Sequence, residues 1–539
     1  MRIFCFKRTS PPHTLSQNPE LPLDPGSTVN AMTETLEREF DVIVIGAGAV
    51  GENVADRAVQ GGLTAVLIEA ELVGGECSYW ACMPSKALLR PGTALHGAQS
   101  VPGAEQAVTR TLDVAAVLKR RDSFTSNWQD DGQVKWVENT GIELIRGHGW
   151  ITAPRQVEVA GLDGNSYRLS ARHAVVIATG SSPTIPPIDG LADVDYWTTR
   201  EATSTQEIPA RLAVLGAGVA GVELAQAHAR LGANVTLVAR GGILGAFPTE
   251  ASDLVAAGLR ADGVELLLHT ATKSVHQNDD GSITLTMDGG TSVTADKLLV
   301  STGRHPALEG LGLESVGITA DDGGRLKLTT DSTGLVRGAD GNDAAGATAD
   351  GNGGADGTSA AGATADGGAW LYATGDAAGR AMLTHQGKYQ ARITGDVIAA
   401  RAKGEANGTA APWSRFAQTA DEHAVPSVVF SDPELTSVGR TVARAKEDGY
   451  TVSSVELPIQ VAGSALHADN YEGWAQLVID EDRKVILGAT FAGPDVAELL
   501  HAATIAIVGE VPLDRLWHAV PSYPTISEVW LRLLEKYGL

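Results

Sequence analysis

Residues Asp41-Val-Ile-Val-Ile-Gly-Ala-Gly-Ala-Val-Gly51 join an unbroken apolar run to Gly-x-Gly-x-x-Gly. Such a run, ended by glycine, reads as a strand buried on both faces. An alanine-rich helical pattern follows, then a second apolar strand, Thr64–Glu69. Strand, glycine turn, helix and strand in this order form a dinucleotide-binding unit. Gly46 permits the tight turn, Gly48 lets the backbone approach a pyrophosphate, and Gly51 lets helix and strand pack closely. The phosphates would sit at the helix N-terminus. Glu69 stands where an acid hydrogen-bonds an adenosine ribose.

The pattern recurs. Leu212-Ala-Val-Leu-Gly-Ala-Gly-Val-Ala-Gly221 is again a strand entering Gly-x-Gly-x-x-Gly, with Gly216, Gly218 and Gly221 as its glycines. A helix and the strand Val235–Ala239 follow. Each unit also has a later strand ending in Thr-Gly, at Ala174–Gly180 (with Thr179) and at Lys297–Gly303. The sequence therefore predicts an α/β protein with two Rossmann-like domains and two dinucleotide sites.

Between them lies Gly74-Gly-Glu-Cys-Ser-Tyr-Trp-Ala-Cys-Met-Pro-Ser-Lys86, which holds Cys77 and Cys82, two of only three cysteines. Five steps along a regular helix leave two side chains out of phase by about 140°. A bridge between them needs an irregular turn. Pro84 suits a first helical turn. That places Cys82 beside a helix N-terminus, where the dipole favours a thiolate, with Lys86 one turn further on. Two small buried hydrophobes would fit the same spacing. The flanking dinucleotide units favour a reactive pair that takes electrons from one cofactor by way of another.

A chain of 539 residues needs several cores. The net charge of −24 argues against nucleic acid and anionic lipid as partners. No apolar run is long enough to span a bilayer, and Met1–Lys7 has no signal-peptide core. Three cysteines point to a reducing compartment, the cytoplasm. Two cysteines without histidine make a poor zinc site, so no metal is expected. Residues 1–39 read as a disordered arm, with Met32 a candidate initiator. Residues 336–369 are dominated by Gly, Ala, Asp and Thr, and carry Ala-Ala-Gly-Ala-Thr-Ala-Asp-Gly at 344–351 and again at 360–367. They read as a flexible surface insertion. The fold resumes at Trp370-Leu-Tyr-Ala-Thr-Gly-Asp376, followed by a helix over 385–400. From about Val425 shorter strands and amphipathic helices form a third unit.

This order resembles the flavoprotein pyridine nucleotide-disulfide oxidoreductases, which include dihydrolipoamide dehydrogenase, glutathione reductase and mercuric reductase. Five motifs carry the resemblance: the two glycine motifs, Cys-x4-Cys-x-Pro-Ser-Lys, Tyr-Ala-Thr-Gly-Asp, and the closing Pro-Thr-x-Ser-Glu. It implies an FAD domain over 40–186 and 305–420, an NAD(P) domain over 187–304, and an α+β dimerisation domain over 421–539. Gly46, Gly48, Gly51, Glu69, Gly149, Thr179, Gly180 and Asp376 would hold FAD. Gly216, Gly218, Gly221 and Gly303 would serve NADPH or NADH. Lys86 would lie near the flavin, paired with Glu223. Cys82 would be the thiolate facing the flavin and Cys77 the exchange thiol. Electrons would pass from NAD(P)H through FAD to a Cys77–Cys82 disulfide, then to a small disulfide or dithiol substrate, in a homodimer whose closing segment completes the partner's site.

Three departures bear on the substrate. Relatives acting on disulfides close with His-Pro-Thr-x-Ser-Glu; here the histidine is Tyr523, while Glu528 remains. A phenol is a poor base at neutral pH. His518 lies off the motif position. Mercuric reductases share the tyrosine but add a C-terminal cysteine pair that this ending, Lys-Tyr-Gly-Leu, lacks. Tyr79 and Trp80 between the cysteines either narrow access, offer a stacking face to a quinone, or pack inward. Ala239 and Arg240 suit a 2′-phosphate and so NADPH, although Gly221 keeps the NADH-type third glycine. The leading expectation is a dihydrolipoamide dehydrogenase-like reductase. A diaphorase acting on quinones and a low-turnover redox sensor or complex subunit are the alternatives.

Overall fold

The computed structural model describes residues 35–337, 368–406 and 410–539. Met32, the arm as far as residue 34, and 338–367 of the insertion lie outside the described residues.

The first unit is built on β1 (Thr35–Ile45), α1 (Ala49–Gln60) and β2 (Ala65–Glu69). The cysteine segment follows as α2 (Gly75–Tyr79) and α3 (Cys82–Gln99). Then come β3 (Glu143–Ala153), β4 (Gln156–Gly161) and β5 (Ser166–Ile177). The parallel core runs β3, β2, β1, β5 and the strand Leu371–Ala373. Both faces of this sheet are covered. Val42, Val44 and Leu67 pack beside α1, while Ile43, Ile45 and Ile68 join the core on the opposite side. Two-sided burial is why these strands read as continuous apolar runs.

The expected disordered arm is corrected at its C-terminal end. Thr35–Glu39 extend β1 and pair in parallel with Ser166–Ser170. Backbone pairing holds this extension, and exposed charge pairs rather than apolar side chains flank it: Glu37 meets Arg168 at 3.0 Å, Glu39 meets Arg172 at 2.7 Å, and Arg38 meets Glu143. A hydrophobic pattern carries no trace of such pairing.

The second unit repeats the plan with β6 (Arg211–Leu215), α4 (Val219–Arg230) and β7 (Asn234–Val238). Lys297–Val300 and Glu265–Leu267 complete a four-stranded parallel sheet. The third unit is a five-stranded antiparallel sheet spanning 426–493, backed by helices Leu500–Val508 and Val529–Tyr537. The long helix α5 (Thr384–Ala402) returns to the first unit and lies against α1. Its contact uses glycine: a Cβ on Gly395 would come 2.6 Å from Arg57 Cβ, and one on Gly387 2.6 Å from Val50.

Candidate active site

The first glycine turn has the shape its motif implies. Gly46 adopts φ +102°, and a Cβ there would lie 2.4 Å from the Ala178 carbonyl oxygen. A Cβ on Gly51 would lie 1.9 Å from Gly46 O. Gly48 opens α1 and bridges to Gly74, and Gly75 comes so close that its Cβ would meet Gly48 Cα at 2.8 Å. The start of the cysteine segment is thereby pressed against the turn. Glu69 accepts from the backbone N–H of Ala47 at 2.7 Å and of Glu71 at 2.8 Å, and burial raises its pKa. Each carboxylate oxygen keeps a second acceptor position. Thr179 donates to Ala307 O, and Gly180 turns at φ +77°. Asp376 accepts from Ser181 Oγ at 2.5 Å, and burial raises its pKa too. Gly149 sits on β3, where a Cβ would crowd Ile68 at 3.1 Å.

Cys82 is the first residue of α3, with Pro84 in the first turn, and Cys77 lies in α2. The connecting Ala81 is irregular, at φ −129° and ψ −94°, which supplies the break the spacing demands. Both cysteines are free thiols, and each acts on the other's proton. Cys82 Sγ also contacts Thr384 Oγ1 at 3.3 Å. The hydrogen bonds from Cys77 and Thr384, with the Lys86 charge, hold Cys82 below the ordinary thiol range against the opposing effect of burial. Sharing a proton with Cys82, together with burial, pushes Cys77 up. The two thiols are therefore unequal, as a thiol–thiolate pair must be.

Lys86 Nζ pairs with Glu223 Oε2 at 2.6 Å, joining α3 to α4. Glu223 is 2 % exposed, and its other oxygen accepts from the backbone N–H of Phe430 in the third unit. One buried carboxylate thus ties three units together beside the thiols.

Sequence reasoning missed Thr384 and a chain of charged groups around Glu76, the neighbour of Cys77. Arg200 binds Glu76 at 2.7 Å and Glu71 at 2.7 Å; Arg304 binds Glu76 at 3.0 Å and Ser181 Oγ at 2.8 Å. Through Ser181 this chain reaches Asp376. Isolated arginines and glutamates carry no spacing signal that would have paired them. Tyr79 packs inward, its hydroxyl donating to Val73 O. Trp80 has the Arg200 guanidinium 4.2 Å above its ring, so one of its two faces is already covered.

The second glycine turn matches the first. Gly216 has φ +114°, and a Cβ on Gly221 would meet Gly216 O at 2.1 Å. Around Gly218 and Gly303 there is open space. Ala239 is buried just after β7, and Arg240 beside it is exposed. The closing segment does not come together as the histidine-bearing motif would. Tyr523 is 77 % exposed, Glu528 is buried, and no hydrogen bond joins them. Glu528 Oε1 accepts from Arg532, and Oε2 has no partner. His518 is exposed. Among the described residues no cluster of His, Cys, Asp and Glu is suited to a metal, and no helix is long and apolar enough to cross a membrane.

Residues 40–391 match the family described as "Pyridine nucleotide-disulphide oxidoreductase", and residues 425–533 match its dimerisation domain. Mercuric reductase from Acidithiobacillus ferrooxidans is 31 % identical over 91 % of this chain and 81 % of its own. Dihydrolipoyl dehydrogenase from Thermus scotoductus is 30 % identical over 91 % of this chain and 96 % of its own. The flavoprotein disulfide reductase RclA of Escherichia coli, solved as a Cu(II) complex, shares the fold. Its TM-score is 0.72 at 22 % identity, covering 92 % of this chain and 99 % of RclA. The chain belongs to the pyridine nucleotide-disulphide oxidoreductase family, whose members are FAD-dependent oxidoreductases that use a pyridine nucleotide.

Proposed function

We propose that the chain reduces a small disulfide substrate, or oxidises the matching dithiol, through a Cys77–Cys82 bridge, in the manner of dihydrolipoamide dehydrogenase. The observation that carries this reading is the placement of Cys82 in the first turn of α3, with the Thr384 hydroxyl 3.3 Å from its sulfur and Cys77 just before it across the irregular Ala81. FAD, when bound, supplies two-electron transfer between the nicotinamide and the sulfurs. The first glycine turn fits it, because the space a Cβ would fill at Gly46 and Gly51 is taken by backbone and the buried Asp376 keeps acceptor capacity. Gly48, Glu69, Gly149, Thr179 and Gly180 complete that site in this reading.

Opening the bridge takes two electrons and one proton, leaving Cys82 as thiolate and Cys77 as thiol. Cys77, once deprotonated, attacks one substrate sulfur and forms a mixed disulfide as the other leaves as thiolate. Cys82 then attacks Cys77, closing the bridge and releasing the second substrate thiol. Lys86 and Glu223 hold a neutralised ion pair beside these steps.

Arg240 is exposed and without an ion pair among the described residues, which supports NADPH over NADH. Gly216, Gly218, Gly221, Ala239 and Gly303 would line that second site. Units 40–186 with 305–420, 187–304 and 421–539 would be the FAD, NAD(P) and dimerisation domains. A homodimer would bring the exposed Tyr523 towards the partner subunit. The scarcity of cysteine supports the cytoplasm.

A second reading, NAD(P)H oxidation by quinones, is favoured by Tyr523, which stands unbonded to Glu528. Anaerobic titration of the yellow protein with NADPH and then NADH tests the main reading. Long-wavelength absorbance should rise at two electrons per flavin and vanish in Cys77→Ala/Cys82→Ala. Loss of lipoamide turnover in Cys77→Ser with quinone reduction kept supports the disulfide route. Equal lipoamide turnover in Cys77→Ser sinks it, and turnover near background with every acceptor points to a sensor.

A further inference from the structure

Thr384 lies 302 positions from Cys82 in the chain, yet its hydroxyl oxygen is 3.3 Å from Cys82 Sγ. It is the first residue of the 19-residue helix α5 and follows an extended Leu383. That helix is held in place along its length. Arg57 of α1 binds Asp396 through two bonds of 2.7 and 2.8 Å, and Gln386 and Gln390 both donate to Asp421. His385, next to Thr384, hydrogen-bonds Pro426 O through Nε2. The glycine contacts at Gly387 and Gly395 leave little room for the helix to slide on α1. Thr384 is thus presented to the sulfur by a rigid frame.

A thiolate accepts hydrogen bonds and donates none. With Cys82 charged, the Thr384 O–H must be the donor, and a bond made to the charged form favours that form. Lys86 is less suited to this task, because its ammonium is already committed to Glu223, whose charge opposes the thiolate. The groups acting on Cys82 are Cys77, Thr384, Lys86 and Glu223, and those acting on Cys77 are Cys82, Thr384 and Lys388. Among them Thr384 is a neutral donor that takes no part in the exchange.

We propose that Thr384 is a positioning residue whose hydroxyl, 3.3 Å from the sulfur, stabilises the Cys82 thiolate when the bridge is open. This rests on the reading of Cys77 and Cys82 as the redox pair.

The test uses flavin-loaded Cys77→Ser protein, in which Cys82 is the remaining site thiol, with Thr384 intact or changed to Val or Ser. The pH dependence of Cys82 alkylation by iodoacetamide, followed by peptide mass spectrometry, gives the thiolate midpoint. Thr384→Val should move it up by about one pH unit, and Thr384→Ser should restore it to within a few tenths. Flavin content per chain should be equal in all three, and Thr384→Ala serves if the valine variant loses flavin. Coincident midpoints for Thr, Val and Ser, all below the ordinary thiol range, overturn the role of Thr384 and leave the redox pair standing. A midpoint near that of a free thiol in every variant, about 8.5, overturns the redox pair itself and the role of Thr384 with it.

Discussion

Glu528 is buried with one carboxylate oxygen unpartnered, and Tyr523, five positions earlier, points its phenol into solvent. A buried acceptor without a donor is costly, and no hydrogen bond joins it to Tyr523. Tyr523→His restores the histidine of the disulfide-reducing motif five positions before Glu528 and supplies a base that titrates near neutrality. Dihydrolipoamide or lipoamide turnover should rise by on the order of 10²-fold, and Tyr523→His/Glu528→Gln should lose most of that gain. Unchanged turnover in Tyr523→His would mean that this segment handles no protons.

Glu223→Gln should act on stability and on sulfur in separable ways. The amide oxygen still accepts from Phe430 N–H, but Lys86 loses its anion. Losing one member of a buried pair costs about 3–5 kcal/mol. With the Lys86 side chain 34 % exposed, solvent reduces this to about 1–2 kcal/mol. Thermal denaturation should show a lower Tm. Because the Glu223 charge opposes the Cys82 thiolate, the alkylation midpoint of Cys82 should move to lower pH, opposite in sign to Thr384→Val. A midpoint that rises instead would remove Glu223 from the electrostatics of the pair.

Where the candidate site rests on neighbours in sequence, the sequence was readable. Gly46 and Gly51, or Cys82 and Pro84, meet within one turn of chain, so their spacing carries their geometry. Where the candidate site rests on polar side chains brought from afar, it was not. Thr384 reaches Cys82 across 302 positions, and Arg200 reaches Glu76 across 124. Apolar periodicity fixes which face of α5 is buried but says nothing of where its first hydroxyl points. The same limit hid the charge-paired start of β1 and the arginine over Trp80.

Arg240→Ala should separate the two nicotinamide cofactors. A guanidinium bonded to a 2′-phosphate contributes about 1.5–3 kcal/mol, or roughly 10–100-fold in affinity. KM for NADPH should rise by that factor while KM for NADH and both kcat values stay within about twofold. A parallel rise for both cofactors would place Arg240 outside the 2′-phosphate contact.

Glu52, in the first turn of α1, is 7 % exposed, and its carboxyl accepts from the Gln133 amide at 3.4 Å. Burial is the main reason its pKa is raised to about 8 from the usual 4.5; Glu69 adds to this and Lys388 opposes it. Between those two values the folded protein keeps a proton that the unfolded chain has released. Stability from this group is therefore complete below pH 4.5, declines as pH rises, and is gone above about 8. Glu52→Gln removes the titration while keeping the shape. Calorimetry of the flavin-loaded protein should give variant and wild type similar Tm values at pH 4.5, with the variant higher by several degrees at pH 8.5. A constant difference across that range would show that Glu52 is not a protonated acid in the folded state.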